Sequence, residues 1–165
     1  MFYNFCPKCG HTYSHTENPH ALECSHCHFT FFQHSKPTAS VLIVDGRKLL
    51  LGKRRVEPSK GQWDVIGGFL EYGESPSAGA AREAKEETGL DVETHDFLGF
   101  FMDTYGSEKE ATLNMCFVGT VVGGELTPGD DIAELRWFAI SDIPKAIAFQ
   151  NGRDMIDAWL AQLSP

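Results

Sequence analysis

Glu83, Glu86 and Glu87 stand three and four positions apart in the run AREAKEETGL. On a helix their carboxylates converge on one side, with Arg82 four residues from Glu86. Like-charge pairs at that spacing each cost a helix roughly 0.2–0.5 kcal/mol, and near the C-terminal end the macrodipole disfavours negative charge by about 0.3–1 kcal/mol per group. A compensating cation is therefore implied. Arg82 and Lys85 supply two positive charges, which on their own would make a solvated salt-bridge face. The preceding turn points further, because Gly67 and Gly68 let the backbone bend close to a ligand and Glu71 and Glu74 bring two more carboxylates. Hard oxygen donors in that number suit Mg²⁺ or Mn²⁺, which keep phosphate oxygens in their shell. Two or three such ions held by Glu83, Glu86 and Glu87 would bridge the phosphates of a pyrophosphate and activate a water, so the chemistry is hydrolysis of a phosphoanhydride.

A second constellation lies near the start of the chain. Cys6 and Cys9 form the knuckle CPKC, and Cys24 and Cys27 form CSHC. Paired CxxC knuckles at this separation suit tetrahedral Zn²⁺, since each places two thiolates on one side of a tight turn. Two disulfides are the competing reading, disfavoured where no secretion signal is evident. Residues 1–35 read as a small zinc ribbon, a segment short enough to need a metal for its stability. His11, His26 and His28 are surplus to a complete four-thiolate shell. Cys116, alone in an apolar segment, reads as a buried inert thiol.

The carboxylates need a helix held against a sheet. Ser75 caps it, Pro76 suits its first position and Gly89 can take the left-handed stop, so the helix should run from Pro76 to Thr88. Before it, ASVLIVD and KLLLGKR flank Asp45-Gly46 as a hairpin, RRVEPSKGQ is a surface loop, and WDVIGG is a short strand leading into the glycine turn. After it, VETHDFLGFFMD and ATLNMCFVGTVV read as strands, GGELTPGDD as a loop and ELRWFAI as a strand. SDIPKAIAF reads as starting with a capped short helix, and Asn151 to Leu163 carries apolar residues at helical spacing. The class is α/β, a mixed sheet between helices spanning residues 36–165, preceded by the ribbon.

The stretch from Gly68 to Leu90 resembles the Nudix box. Gly68, Glu74, Arg82, Glu83, Glu86, Glu87, Gly89 and Leu90 fall on its fixed positions, with Ala84 in the first aliphatic place. The resemblance implies an α/β/α sandwich and hydrolysis of a nucleoside diphosphate linked to another group. It implies Glu83 and Glu87 as direct metal ligands, the Gly67 carbonyl as another, and Arg82 orienting the glutamates. Nudix proteins often place the general base in a later loop, where Glu134 and Asp131 are candidates. Tyr105, Phe149 and Trp63 are candidates to stack on a base or to serve as framework.

A ribbon before such a domain is similar to two groups, the NADH pyrophosphatases and the plant-type FAD pyrophosphatases that also cleave ADP-ribose. The SQPWPFP signature of the first is absent after the box, whereas HSKPTASVLIVDGRKLLLGKR and ELRWFAISDIPKAIAF are similar to the second. Tyr105 also resembles a placement seen in diadenosine polyphosphate hydrolases. The expected activity is Mg²⁺-dependent cleavage of FAD, ADP-ribose or NADH with release of AMP. Clean-up of nucleoside triphosphates and a non-catalytic nucleotide-binding role are the alternatives.

The 165 residues carry a net charge of −9, which argues against a general nucleic-acid binder, since that needs Lys and Arg to displace counterions. Lys8 is the ribbon's lone Lys or Arg up to Ser35. No apolar run approaches the roughly 20 residues that span a bilayer and no signal segment is evident, so the expected location is cytoplasmic. Relatives with this architecture are often homodimers, and the FTFF run suits either such an interface or packing within the chain.

Overall fold

The computed structural model describes residues 4–13 and 21–163. The chain divides into two compact units, Met1–Ser35 and Lys36–Pro165, so the remainder of the ribbon segment lies outside the described residues.

In the first unit β1 (Ala21–Glu23) pairs antiparallel with β2 (Thr30–Phe32), and Phe5 bridges Thr12. The two knuckles are built alike. Gly10 N donates to Cys6 O and Cys6 N to His11 O, while His28 N donates to Cys24 O and Cys24 N to Phe29 O. Each tight turn needs a left-handed residue at its end, and Gly10 (φ 73°) and His28 (φ 55°) supply it. A small core of Cys6, Tyr13, Leu22 and Cys24 fills the interior of the unit.

The second unit is a mixed sheet between two helices. Its strands are β3 (Lys36–Asp45), β4 (Lys48–Arg54), β5 (Trp63–Asp64), β6 (Ile66–Phe69), β7 (Leu90–Tyr105), β8 (Glu110–Gly124) and β9 (Ile132–Ala139). The order is β5-β4-β3-β8-β7, with β6 added to β3 and β9 to β4. β3 runs parallel to β8 and antiparallel to β4 and β6. The β3–β4 hairpin turns through Gly46-Arg47, because Asp45 pairs with Lys48 and Gly46 takes φ 57°.

β3 is apolar on both faces because both are covered. Ala39, Val41 and Ile43 meet Ala80 and Ala84 of helix α1 (Pro76–Thr88). Leu42, with Leu49 and Leu51, meets Met155, Ile156 and Trp159 of helix α2 (Gln150–Gln162). Burying side chains of this size contributes about 1.5–3 kcal/mol each, so the two clusters hold one helix on each side of the sheet.

Helix α1 begins and ends as its sequence dictates. Ser75 Oγ accepts from Ala78 N, Pro76 fills the first turn, and Gly89 (φ 72°) donates its N–H to Lys85 O. SDIPKAIAF forms only a single 3-10 turn, Ile140–Asp142, without a side-chain cap. Pro144 disfavours helical backbone at Ile143 and ends it there. The N-terminus of α2 also lacks a cap from its own sequence, and receives one from β7, where Asp103 Oδ2 accepts from Asn151 N at 3.0 Å.

Candidate active site

The glycine turn and helix α1 meet over the edge of β3. Gly67 sits opposite Ser40 with φ 155°, and a Cβ there would strike the Ala39 carbonyl and the Ser40 side chain. At Gly68 a Cβ would lie 2.5 Å from Glu83 Oε1 and 2.7 Å from Oε2. Two glycines are thus required, one for the strand to pass and one for Glu83 to reach the turn. Gly67 N donates to Glu87 Oε2 at 3.2 Å.

Arg82 organises the glutamates. Its Nε and Nη2 donate to the two oxygens of Glu74 at 2.9 and 3.0 Å, its Nη1 to Glu83 Oε1 at 2.8 Å and Glu86 Oε2 at 3.0 Å, and its Nη2 also to the Phe69 carbonyl. These bonds raise the guanidinium above its ordinary pKa and lower that of Glu74. Glu83 is pushed up by burial, against the pull of Arg82 and with the charges of Glu86 and Glu74 adding to it. Glu87 rises to about 8, chiefly through burial, which the Gly67 N–H opposes and the charges of Glu83 and Asp64 reinforce.

A cavity of about 330 Å³ opens beside these residues. Glu83, Glu87, Gly67 and Gly68 form one rim, and Asp64, Asp103 and Asp131 bring further carboxylates. Among the described residues Arg54 is the one basic side chain lining it, paired with Asp64 at 3.4 Å and lying over the Phe149 ring at 4.9 Å. Burial raises Asp64 to about 7 despite Arg54. Phe69, Tyr105 and Phe149 make a chain of rings along the cavity, with centroids 5.5 and 5.7 Å apart. The loop after β8 docks on the end of α1, where Thr127 N donates to Thr88 O and Gly129 N to Glu87 O, and this brings Asp131 to the rim.

Several residues singled out in the sequence fall elsewhere. Glu86 is exposed on Arg82 and does not line the cavity. Glu134, on β9, pairs with Lys53 at 3.9 Å and with Arg136, and also lies off the cavity. Trp63 packs edge-on against Phe138 at 4.9 Å, beneath Arg136, so it is framework and not a base-stacking ring. Asp64, Asp103, Arg54, Thr38 and Asn114 line the cavity without having been singled out. The available signal was polar residues at period two within apolar strands, Thr38 and Ser40 on β3 and Thr112 and Asn114 on β8.

In the first unit the sulfurs of Cys6, Cys9, Cys24 and Cys27 all lie within 4.8 Å of one another, with Cys6 3.7 Å from Cys27 and Cys9 3.6 Å from Cys24. Among the described residues this is the one cluster of three or more such ligand atoms. A tetrahedron of Zn–S bonds near 2.3 Å requires sulfurs about 3.8 Å apart, which these positions approach. Burial pushes the Cys6 thiol up, but N–H groups of Lys8 and Cys9 and the thiols of Cys27 and Cys9 pull it down to about 6. Against the His11 N–H, burial and the thiols of Cys27, Cys24 and Cys6 push Cys9 up to about 12, so the four sulfurs are crowded enough to share their protons.

The profile of the NUDIX domain matches residues 34–160. An ADP-ribose pyrophosphatase of Methanocaldococcus jannaschii is 33% identical over 129 residues, 78% of this chain and 76% of that one. The NAD-capped RNA hydrolase NudC of Vibrio atlanticus is 31% identical over 141 residues, 85% of this chain, and the chain spans about half (51%) of its length. Among solved structures, a NUDIX hydrolase from Nitrosomonas europaea superposes with a TM-score of 0.81 at 26% identity, covering 97% of this chain and 92% of that one.

Proposed function

Because this chain belongs to the Nudix hydrolase family, we infer that its cavity hydrolyses the pyrophosphate bond of a nucleoside diphosphate joined to a second group, FAD, ADP-ribose or NADH, and releases AMP. The observation that carries this reading is the convergence on one cavity of Glu83 and Glu87, of Gly67 and Gly68 beside them, and of the rings of Tyr105 and Phe149. The M. jannaschii ADP-ribose pyrophosphatase and the NudC relative support it by name.

Glu83, Glu87 and the Gly67 carbonyl are the residues to hold Mg²⁺ or Mn²⁺, with Glu86 on the outer side. The donor set fits, being hard oxygens, and the carboxylates are desolvated and crowded enough that burial, with neighbouring carboxylates adding to it, raises both Glu83 and Glu87. When bound, such ions neutralise phosphate charge and acidify water. Arg82 fixes Glu83 through Oε1 and shares its fork with Glu74 and Glu86, so the acidic rim is pre-set before substrate arrives. Asp131 lines the cavity and is the better candidate to take the proton of the attacking water, since Glu134 is engaged by Lys53 and Arg136 outside it. Tyr105 and Phe149 offer stacking faces to a base.

Zn²⁺ at Cys6, Cys9, Cys24 and Cys27 would staple the first unit, residues 1–35. No helix among the described residues is long and apolar enough to cross a membrane, and free thiols suit a reducing, cytoplasmic setting. The edge strand β7 leaves Phe97, Phe100 and Met102 exposed, which supports a homodimer testable by light scattering.

The test is incubation with Mg²⁺ and FAD, NADH, ADP-ribose, diadenosine tetraphosphate, a nucleoside triphosphate and an NAD-capped oligoribonucleotide, with products resolved by chromatography. AMP formed together with FMN, NMNH or ribose phosphate is the expected result. Pyrophosphate from the triphosphate alone would replace this reading with a clean-up hydrolase, and binding without cleavage would withdraw the enzymatic assignment for these substrates.

A further inference from the structure

The cavity floor is the polar end of two otherwise apolar strands. Thr38 and Ser40 of β3 and Thr112 and Asn114 of β8 are all buried, and all line the cavity. Thr38 is the register partner of Asn114 in the parallel pair, so their side chains lie next to each other on one face. Sheet packing alone would be served as well by Val or Leu at these places.

Two atoms of this floor have no partner. Asn114 Nδ2 donates to Ser40 Oγ at 2.8 Å, Oδ1 is left unpaired, and Thr38 Oγ1 is unpaired beside it. Thr38 is 8% exposed and Asn114 6%. Among the described residues only Tyr13 Oη and Arg153 Nε share that condition, and neither lines this cavity. Leaving such a group buried and unpaired is disfavoured, so neighbouring orphans in a cavity mark a place where something else completes them.

We propose that Thr38 and Asn114 read the polar edge of an aromatic ring on the substrate, an NH₂ group beside a ring nitrogen or a carbonyl oxygen. This rests on the nucleotide-hydrolase reading given above. Asn114 Oδ1 only accepts, so the hydrogen must come from the ligand, whereas the Thr38 hydroxyl donates or accepts and serves the neighbouring position. Tyr105 and Phe149 line the same cavity and offer ring faces, so a heterocycle finds stacking and an edge-reading floor together. An anionic edge is excluded by the carboxylates around it, Asp64, Glu83, Glu87, Asp103 and Asp131. Two sources carry the required edge, adenine through its 6-amino group and N1, and nicotinamide through its carboxamide.

Binding separates them without requiring turnover. Titration calorimetry with Mg²⁺ would compare AMP with purine riboside monophosphate, which lacks the 6-amino group, and nicotinamide mononucleotide with nicotinic acid mononucleotide. The proteins are the wild type, Thr38→Val and Asn114→Leu. Wild type should prefer the amino ligand by about tenfold in one arm, as expected for one lost hydrogen bond to a buried acceptor. That arm names the source. Asn114→Leu should bring the ratio to about one, whereas Thr38→Val, which removes the contact to a ring position that both members of a pair carry, should weaken both ligands with the ratio kept and, having lost only an orphan hydroxyl, should melt no lower than wild type. Equal affinities within both pairs, no binding of either amino ligand, or ratios unmoved by both substitutions would overturn the proposal. So would equal weakening of amino and deamino ligands by Asn114→Leu, which is the signature of a structural role. Hydrolysis of ADP-ribose by the same wild-type preparation reports separately on the hydrolase reading.

Discussion

Glu83 places its carboxylate where Gly68 has no side chain, and a Cβ at Gly68 would lie 2.5 Å from Oε1 and 2.6 Å from Cδ. The clash is with the far end of a long side chain and not with backbone, so Gly68→Ala should move Glu83 while leaving the strand and helix in place. The expected outcome is a loss of kcat of about a hundredfold, the scale on which small misplacements at a reacting centre are felt. The melting temperature should stay within about 3 °C, corresponding to under 1 kcal/mol. Circular dichroism and steady-state kinetics on one preparation check both.

Arg82 reaches four acceptors with one planar fork, Glu74, Glu83, Glu86 and the Phe69 carbonyl. A lysine keeps the charge and cannot make that set, so Arg82→Lys is not conservative here. Activity should fall roughly 10–100-fold, in line with losing a neighbour that orients metal ligands, and the Mg²⁺ concentration for half-maximal rate should rise.

Of Asp131 and Glu134, only the first lines the cavity. Asp131→Asn should lower kcat by about 10²–10⁴, the range for removing a general base. Glu134→Gln should change kcat by less than about threefold, because its partners are Lys53 and Arg136 outside the cavity. The opposite ranking would return the base to Glu134.

What could be read from the chain alone was local in sequence. The caps of α1 lie within its own 15 or so residues, and the spacing of Glu83, Glu86 and Glu87 is helical arithmetic, so both were legible. The floor was not, because Thr38 and Asn114 meet only through a parallel pairing of β3 and β8, and parallel strands are joined over long sequence distances. Trp63 and Asp64 illustrate the same limit at one position. Adjacent strand residues face opposite sides, so Asp64 enters the cavity while Trp63 packs on Phe138, and the ring that drew notice was on the wrong face. The cap of α2 comes from Asp103 on a distant strand, which no pattern within the helix announces.

Burial holds Asp64 up at about 7 against Arg54. In the unfolded chain it would titrate near 4. Between those values the folded state keeps a proton that the unfolded state has lost, so rising pH favours unfolding there and has no further effect above. Stability of the metal-free protein, followed by urea denaturation, should therefore decline from about pH 4 to about pH 7 through this group, with Glu87 extending the decline to about pH 8. Asp64→Asn should make that slope shallower, leaving the part that Glu87, held up to about 8, contributes. A variant whose slope matched wild type would assign the effect to other carboxylates.

The sulfurs of Cys6, Cys9, Cys24 and Cys27 are spaced for one tetrahedral ion, and among the described residues of the first unit the buried core is Cys6, Tyr13, Leu22 and Cys24, with Cys27, Phe29 and Phe31 packed against it. The second unit has two larger clusters of its own. Purified protein should therefore carry about one zinc per chain, released by a thiol-specific mercurial and read with a colorimetric chelator. After release, amide hydrogen exchange should rise sharply across the described residues 4–13 and 21–35 while β3, β8 and α1 stay protected. Cys24→Ser should have the same effect without any reagent, since Cys24 is fully buried and removing one thiolate leaves the shell incomplete. Zinc content near zero with protection retained in the first unit would show that the four thiols are held by packing alone, and the metal assignment would fall.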